Sequence, residues 1–421
     1  MKIMVVGGGG REHAIIKKIR QGKGEHEIFC LPGNAGMTGE AVRVDIKAKE
    51  IGKIVDFAKE NKIEYAIVAQ DDPLALGCVD RLNEIGVPCF GPTKKAAEIE
   101  SSKVFAKGLM KKYGIPTAEY EVFDNSKKAM KYVKTAKYPL VIKADGLALG
   151  KGVTIAQNEK EAVDALESIM ETKVFGDSGN KVVIEEFMEG PEVSVLSFCD
   201  GKTIVPMVSS MDHKRAKDGD KGPNTGGMGT IAPNPFYTPE VQKECEEKII
   251  KPTVEAMIKE GRPFKGCLYF GLMITKDGPK VVEYNCRFGD PETQVVLPLL
   301  ESDLLDIMIA TTNGTLDKTE VKFSDKSACC VIMASGGYPL KYDKGYSIFV
   351  PHDVLDNVYF AGVDALNGML LTNGGRVLGV TAVADDLKSA ITKSYEIANR
   401  ISFRKSYMRT DIGARALSAL K

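Results

Sequence analysis

Short apolar runs alternate with amphipathic stretches through the first hundred residues. KIMVV is followed by REHAIIKKIRQ, EIFCL by KEIGKIVDFAKEN, and YAIVA by PLALGCVDRLNEIG before VPCF. Apolar runs of this length read as buried strands, and the intervening stripes read as helices with one apolar face. Strands separated by helices pair in parallel, with the helices covering both faces of the sheet. A parallel-sheet α/β domain is therefore expected over residues 1–101, with GPTKKAAEIESS as its exit.

At 421 residues the chain is too long for one core. Two further units are expected, 102–325 and 326–421. Ser102 reads as the N-cap of KVFAKGLMKKY, a helix stopped by Gly114 and Pro116. Between about 117 and 190 the style is that of a small antiparallel unit. YPLVIKAD and GVTIA flank a glycine-rich loop, and EKEAVDALESIMET is an amphipathic helix. KVVIEEF and EVSVLSF are expected to pair across MEGP. Residues 212–230 read as a long glycine- and charge-rich loop. A helix near 240–260 follows, then strands CLYFGLMI and KVVEYN joined at TKDGP by an Asp-Gly turn. ACCVIMA, RVLGVTAVA and LKSAITKSYEIANRI predict a last α+β unit.

Lys+Arg and Asp+Glu both number 57, a net charge of +0, which argues against nucleic-acid or membrane-surface partners. The 9 cysteines include no CxxC pair, and there are only 4 His, so free thiols in a reducing compartment fit better than a disulfide or zinc framework. MKIMVV runs straight into a strand and is too short for a signal peptide, and no apolar run approaches a membrane span. A cytoplasmic enzyme or nucleotide-binding protein is expected.

Glycines and charges interrupt this pattern at a few places. GGGGREH, residues 7–13, lies between a strand and a helix, where backbone N–H groups can meet an anion. Glu12 stands where the dinucleotide fingerprint needs a third glycine, and the first plausible acid after the next strand, Asp45, lies too far along, so NAD is disfavoured. Arg11 suits a phosphate monoester; a tight turn without a ligand is the plainer alternative. PGNAG, residues 32–36, ends at the same sheet edge. KADGLALGKGV, residues 143–153, offers Lys143, Gly146, Gly150, Lys151 and Gly152 without the Walker A arrangement. A flap over phosphates and a plain hairpin loop suit it equally. EEFMEGPEVS, residues 185–194, puts acids at a strand end, either solvated or beside a nucleotide with Glu192 on ribose hydroxyls. DHKRAKDGDKGPNTGGMGT is a solvated loop by composition, unless polyphosphate and a carboxylate must be gripped by a moving segment.

VVEYNCRFGDPETQ, residues 281–294, places Glu283, Asn285 and Arg287 two apart. On a strand they share one face, with roughly 6.5 Å between successive side chains. Two oxygen ligands suit Mg²⁺, which completes its octahedron with phosphates and water. Arg287 beside them would stabilise a transferring phosphoryl group. The bland alternative is a buried ion pair between Glu283 and Arg287.

Taken in order, GGGGREH, PGNAG, SSKVFAK, VIKADGLALGKGV, EEFMEGPEVS, DHKRAKDGDKGPNTGGMG and EYNCRFGDPETQ resemble the phosphoribosylamine–glycine ligase family of ATP-grasp enzymes, nearly end to end. The resemblance implies an N-terminal parallel-sheet domain, a central α+β ATP-grasp domain with a mobile lid, and a small C-terminal α+β domain. It implies a monomer that joins glycine to 5-phosphoribosylamine using ATP and Mg²⁺ or Mn²⁺, through glycyl phosphate, as the second step of purine synthesis. By matching motif, Lys103 and Lys143, with Gly146, Gly150 and Gly152 of the flap, would address ATP phosphates or the base edge. Glu185, Phe187 and Glu192 would hold adenosine, and Glu283 and Asn285 the metal. Arg287 and Asp290 would address the transferring phosphate and glycine, with Asp212 and Lys214 near the same centre. Gly9, Gly10, Arg11, Glu12, Asn34 and Gly36 would receive the sugar phosphate, helped by Thr293 and Gln294.

Two features depart from common patterns. Many ATP-grasp enzymes carry an acid on the strand before the metal strand; here Leu272 stands there, a lack the resembled family shares. Where that family often reads GPEAPL, residues 69–74 read AQDDPL, with Asp71 in the glutamate's place. Other classes compatible with parts of the sequence are a nicotinamide-dependent oxidoreductase, suggested only by the glycine run, and a non-catalytic nucleotide-binding regulator. A regulator need not retain Glu283, Asn285, Arg287 and Asp290. Another ATP-grasp carboxylate–amine ligase is the nearer alternative.

Overall fold

The computed structural model describes residues 1–147 and 152–420, so Gly150 and Lys151 of the flap lie outside the described residues. The N-terminal sheet runs in the order Val42–Arg43, Glu27–Pro32, Lys2–Gly7, Tyr65–Val68, Cys89–Phe90, with every pairing parallel. Ile3, Met4, Val5 and Val6 have no exposed surface, because the central strand is covered on both faces. Strand order reverses between Lys2–Gly7 and Tyr65–Val68. The GGGGREH loop and the AQDDPL loop flank that switch point, where ligands of such sheets bind.

Ser102 caps the helix Lys103–Tyr113 by accepting from the Phe105 N–H at 3.0 Å, and Gly114 ends it in the left-handed region (φ 67). The lid that follows is a four-stranded antiparallel sheet, ordered Tyr120–Phe123, Val182–Glu186, Leu140–Ala144, Val153–Ala156. Helices Ser126–Val133 and Glu159–Leu166 close it around a hydrophobic cluster of its own that includes Val133, Ile142, Leu166 and Ile184.

The expected pairing of KVVIEEF with EVSVLSF does not occur. Glu192–Asp200 leaves the lid and pairs along its whole length with Lys265–Thr275, in a second sheet ordered Ile204–Pro206, Glu192–Asp200, Lys265–Thr275, Gly278–Asn285. That ladder is longer than anything Val182–Glu186 could offer, and it buries every residue of the strand after Glu192. MEGP is thus a crossing between sheets.

Residues 212–230 are also not a bare loop. Met211–Asp212 and Gly229–Ala232 pair and join the sheet of the C-terminal strands Ser327–Ser335, Arg376–Ala384 and Val358–Phe360. Between them Arg215–Lys217 and Lys221–Asn224 form a polar hairpin. It lacks apolar alternation because charges dock it. Arg409, 1 % exposed, donates to the Arg215 carbonyl (3.1 Å), Asp220 (2.9 Å) and both oxygens of Asp411. The middle of the chain is thereby built into the C-terminal sheet. No described helix is long and apolar enough to cross a membrane.

Candidate active site

The glycine turn at the N-terminal switch point is held from inside. Glu12 is fully buried and folds back so that Oε2 accepts from the Gly9 N–H at 2.6 Å, while Oε1 accepts from Arg11 Nε at 2.7 Å. Gly8 meets the PGNAG loop so closely that a Cβ there would sit 2.6 Å from the Gly33 carbonyl oxygen, so glycine is required. Asn34 donates to the carbonyls of Gly8 and Phe360, each at 2.9 Å, and accepts from the Gly36 N–H. Gly36 is pressed against the Phe360 ring of the C-terminal sheet. The side chain of Asn34 is thus committed to the protein's own backbone, and that of Glu12 to the Gly9 N–H and the Arg11 guanidinium.

Gly9, Gly10 and Arg11 face the DPETQ segment. The Arg11 N–H points at Asp290 Oδ2 (3.4 Å), and its guanidinium donates to the Phe288 carbonyl at 3.0 Å. Asp290 Oδ1 accepts from Gln294 Nε2 at 2.8 Å. Thr293 turns its hydroxyl back onto the Gly289 carbonyl and starts a short helix, Thr293–Leu299. Arg376, from the C-terminal sheet, donates to the Gly226 and Asp290 carbonyls at 2.7 Å and lies 3.4 Å from Asp290 Oδ1. Burial opposes the charge on Asp290, but Arg376 foremost, with Arg11, holds its pKa below the usual value.

The Glu283 row is only partly as expected. The strand ends at Asn285, and Arg287 bends away to pair with Glu100 (2.9 Å), on the exit helix of the N-terminal domain. The bland alternative of a Glu283–Arg287 pair is therefore absent. Arg287 also donates to Asn285 Oδ1 at 3.2 Å, and the other Glu100 oxygen accepts from the Cys286 N–H at 2.7 Å. Burial opposes the Arg287 charge; Glu100 first, then Asp71 of the AQDDPL loop, raise its pKa above the ordinary value. A bulge in the pairing with Lys265–Thr275 leaves Val282 without a partner, and its carbonyl accepts from Lys143 at 3.2 Å. Leu272 is buried in the core, so no acid is available there.

Four cations surround Glu283. Lys214 Nζ lies 3.8 Å from Glu283 Oε1 and 3.4 Å from Glu192 Oε2. Burial opposes ionisation of Glu283, but Lys214, Lys143, Lys103 and Arg287 together hold its pKa below the usual value. Lys103 Nζ donates to the Gly146 carbonyl at 2.9 Å, drawing the flap onto the helix. The Gly152 carbonyl accepts from the Ala144 N–H at the far side of that loop. Lys143 also lies 2.9 Å from Glu185 Oε2, and Phe187, partly exposed, follows on the same lid strand's exit.

Asp212 sits behind this row. Its Oδ1 accepts from the His213 N–H at 2.8 Å. Burial, then the nearby Glu292 carboxylate, raise its pKa well above the usual value. Glu292 accepts from Tyr269 at 3.0 Å, and Ser194 lies 2.7 Å from the same hydroxyl.

Glu100, Lys107, Tyr269, Glu292 and Arg376 escaped the sequence reading. Lys107 had a legible signal, its spacing of four from Lys103 on one helix. Glu100 and Arg376 become neighbours of the site through contacts between domains, whereas Tyr269 faces Asn285 on the paired strand and Glu292 lies within the DPETQ stretch itself.

Buried polar atoms normally have partners. Among the described residues nine buried side-chain polar atoms lack one, and three of them, Glu185 Oε1, Arg287 Nε and Gln294 Oε1, belong to residues of this site. These three could meet a ligand's donors and acceptors. No described group of three or more His, Cys, Asp or Glu is arranged to hold a metal. Glu283 with the Asn285 amide oxygen still fits a cation that draws its other ligands from phosphates and water.

Comparison with known proteins places the chain in two steps. The chain superposes, at TM-score 0.76 and 17% identity, on the biotin carboxylase domain of 2-oxoglutarate carboxylase from Hydrogenobacter thermophilus, over 97% of this chain and 91% of that one. That protein's structure holds MgADP and bicarbonate. That likeness shows the fold; the ATP-grasp domain profile over residues 101–293 makes this an ATP-grasp protein. Family profiles match as phosphoribosylglycinamide synthetase N domain (residues 1–100), ATP-grasp (A) domain (101–293) and C domain (328–415). The phosphoribosylamine–glycine ligase of Caldanaerobacter subterraneus is 49% identical over 98% of this chain and 100% of its own. The crystal structure of the Thermotoga maritima phosphoribosylamine–glycine ligase matches at TM-score 0.87 and 33% identity, over 98% of this chain and 100% of that one. The chain belongs to the phosphoribosylamine–glycine ligase family of enzymes.

Proposed function

We propose that this enzyme ligates glycine to 5-phosphoribosylamine in the cytoplasm, as a monomer, producing glycinamide ribonucleotide, ADP and phosphate. The supporting observation is the convergence of a cation-ringed Glu283–Asn285 pair with the Gly9–Arg11 turn across Asp290.

A glycine carboxylate oxygen attacks the γ-phosphorus of ATP, and ADP leaves. The amine nitrogen of phosphoribosylamine then attacks the glycyl carbonyl carbon. Phosphate departs and the nitrogen loses a proton. Neither step needs a covalent enzyme group; both need positioning and charge neutralisation. Lys103, Lys143 and Lys214 supply positive charge around the phosphates, and Arg287, held by Glu100, faces the transferring group. Mg²⁺ or Mn²⁺ at Glu283 and Asn285 would neutralise phosphate charge. Closure of the lid over Gly146 and Gly152 keeps water from the acyl phosphate.

The test is ADP release from MgATP and glycine, with phosphoribosylamine generated in situ from ribose 5-phosphate and ammonia. Release that requires both glycine and the phosphosugar is expected. Release that proceeds equally with alanine or serine would reassign the carboxylate substrate. Arg11→Ala is expected to raise the phosphosugar KM about tenfold, the effect of losing a charged hydrogen bond. The ATP KM should hold. Equal losses for both substrates would make the turn purely structural.

A further inference from the structure

The helix Lys103–Tyr113 carries a lysine the mechanism above does not use. Lys107 is 3% exposed. Its ammonium donates to Thr117 Oγ1 at 2.8 Å and lies 3.3 Å from Glu185 Oε2. Lys143 reaches the same oxygen at 2.9 Å. Both cations therefore crowd onto Oε2, and Oε1 is left buried with no donor. Thr117 in turn donates to the Val281 carbonyl at 2.7 Å, on the strand that carries Glu283. It also lies where the chain crosses from the helix into the lid. Lys107 thus joins helix, crossing and lid strand at one carboxylate.

We propose that Lys107 is a positioning residue that holds Glu185 with Oε1 presented to the nucleotide base, selecting a purine with an amino group at position 6 over one with a carbonyl there. This rests on the reading that the nucleotide lies between the lid strand and the Glu283 strand. An ionised carboxylate only accepts hydrogen bonds. A 6-amino group donates to it, whereas a 6-carbonyl would set lone pairs against lone pairs in a buried site. Two cations on the other oxygen fix the carboxylate's rotation. Burial pulls Lys107 down to about 8, against the upward pull of Glu185, so it is largely charged at neutral pH. Without it Glu185 keeps Lys143 alone, and Lys143 is shared with the Val282 carbonyl.

The experiment measures kcat and KM with ATP and with inosine triphosphate, which differ at position 6. Lys107→Met is expected to raise the ATP KM and to shrink the preference for ATP in kcat/KM, each about tenfold, with kcat at saturating ATP changing less. Lys107→Arg should restore part of the preference. Glu185→Gln, whose amide can turn a donor toward a 6-carbonyl, should also shrink it. A preference that survives Lys107→Met but collapses in Glu185→Gln would overturn the role of Lys107 and leave the nucleotide reading standing. A preference that survives both would overturn the two together. If Lys107→Met does not fold, Thr117→Val removes the hydroxyl that holds Lys107. An unchanged preference in that folded variant overturns the proposal, and a reduced one supports it.

Discussion

Glu283→Ala is expected to lower turnover by about three orders of magnitude while the folded protein keeps its circular dichroism and melting temperature. The side chain is 37% exposed, so truncating it leaves no closed cavity. Its backbone pairing opposite Gly271 does not depend on it. What is lost is the one carboxylate toward which Lys214, Lys143 and Lys103 converge. Asn285 alone is a neutral ligand and cannot replace it. Near-normal turnover at saturating Mg²⁺ would overturn the metal assignment. A loss repaired by raising ATP alone would place Glu283 in nucleotide binding instead.

Glu100→Ala should destabilise the protein by about 3–5 kcal/mol, the usual result of stripping one partner from a buried ion pair. Arg287 would remain, with Asp71 as its largest remaining acid influence. The Cys286 N–H would lose its acceptor as well. Urea denaturation followed by tyrosine fluorescence reads the loss. The double variant Glu100→Gln/Arg287→Met removes both charges, so it should recover part of the stability. It should not recover turnover, because the guanidinium is absent. A double variant as unstable as Glu100→Ala would mean that shape, not charge, governs this contact. Recovered turnover would remove Arg287 from the chemistry.

Much of the fold was legible because local pattern and tertiary pairing agree. The parallel N-terminal sheet follows from apolar runs separated by helices, whereas its order, with Lys2–Gly7 between Glu27–Pro32 and Tyr65–Val68, came from the structure. Ser102 and Gly114 bound their helix as their chemistry requires. The TKDGP turn joins its two strands in antiparallel register. The partition of strands between sheets was not legible. EVSVLSF is compatible with several partners, and only the long apolar strand Lys265–Thr275 buries its whole length. The 212–230 segment misled for the opposite reason. Its strands are polar, and Arg409, Asp411 and Asp220 hold them by ion pairs that involve residues some 190 positions apart.

The site divides in the same way. Glu283, Asn285, Asp290, Lys103, Lys143 and Glu185 could be singled out from the chain as candidates because their chemistry lies in short, ordered motifs. Arg11 and Arg287 were read as ligand-facing, yet each first meets the protein itself, Arg11 at Phe288 and Arg287 at Glu100. Asn34 and Glu12 turn inward to fix the glycine turn. The sequence by itself determined the element types, the N-terminal sheet and the motif residues, since these depend on neighbours within a few positions. Only the tertiary structure decided the partners of the buried charges. A charge in a low-dielectric interior is matched by whichever opposite charge the packed domains bring within hydrogen-bond reach, and no local spacing records that choice.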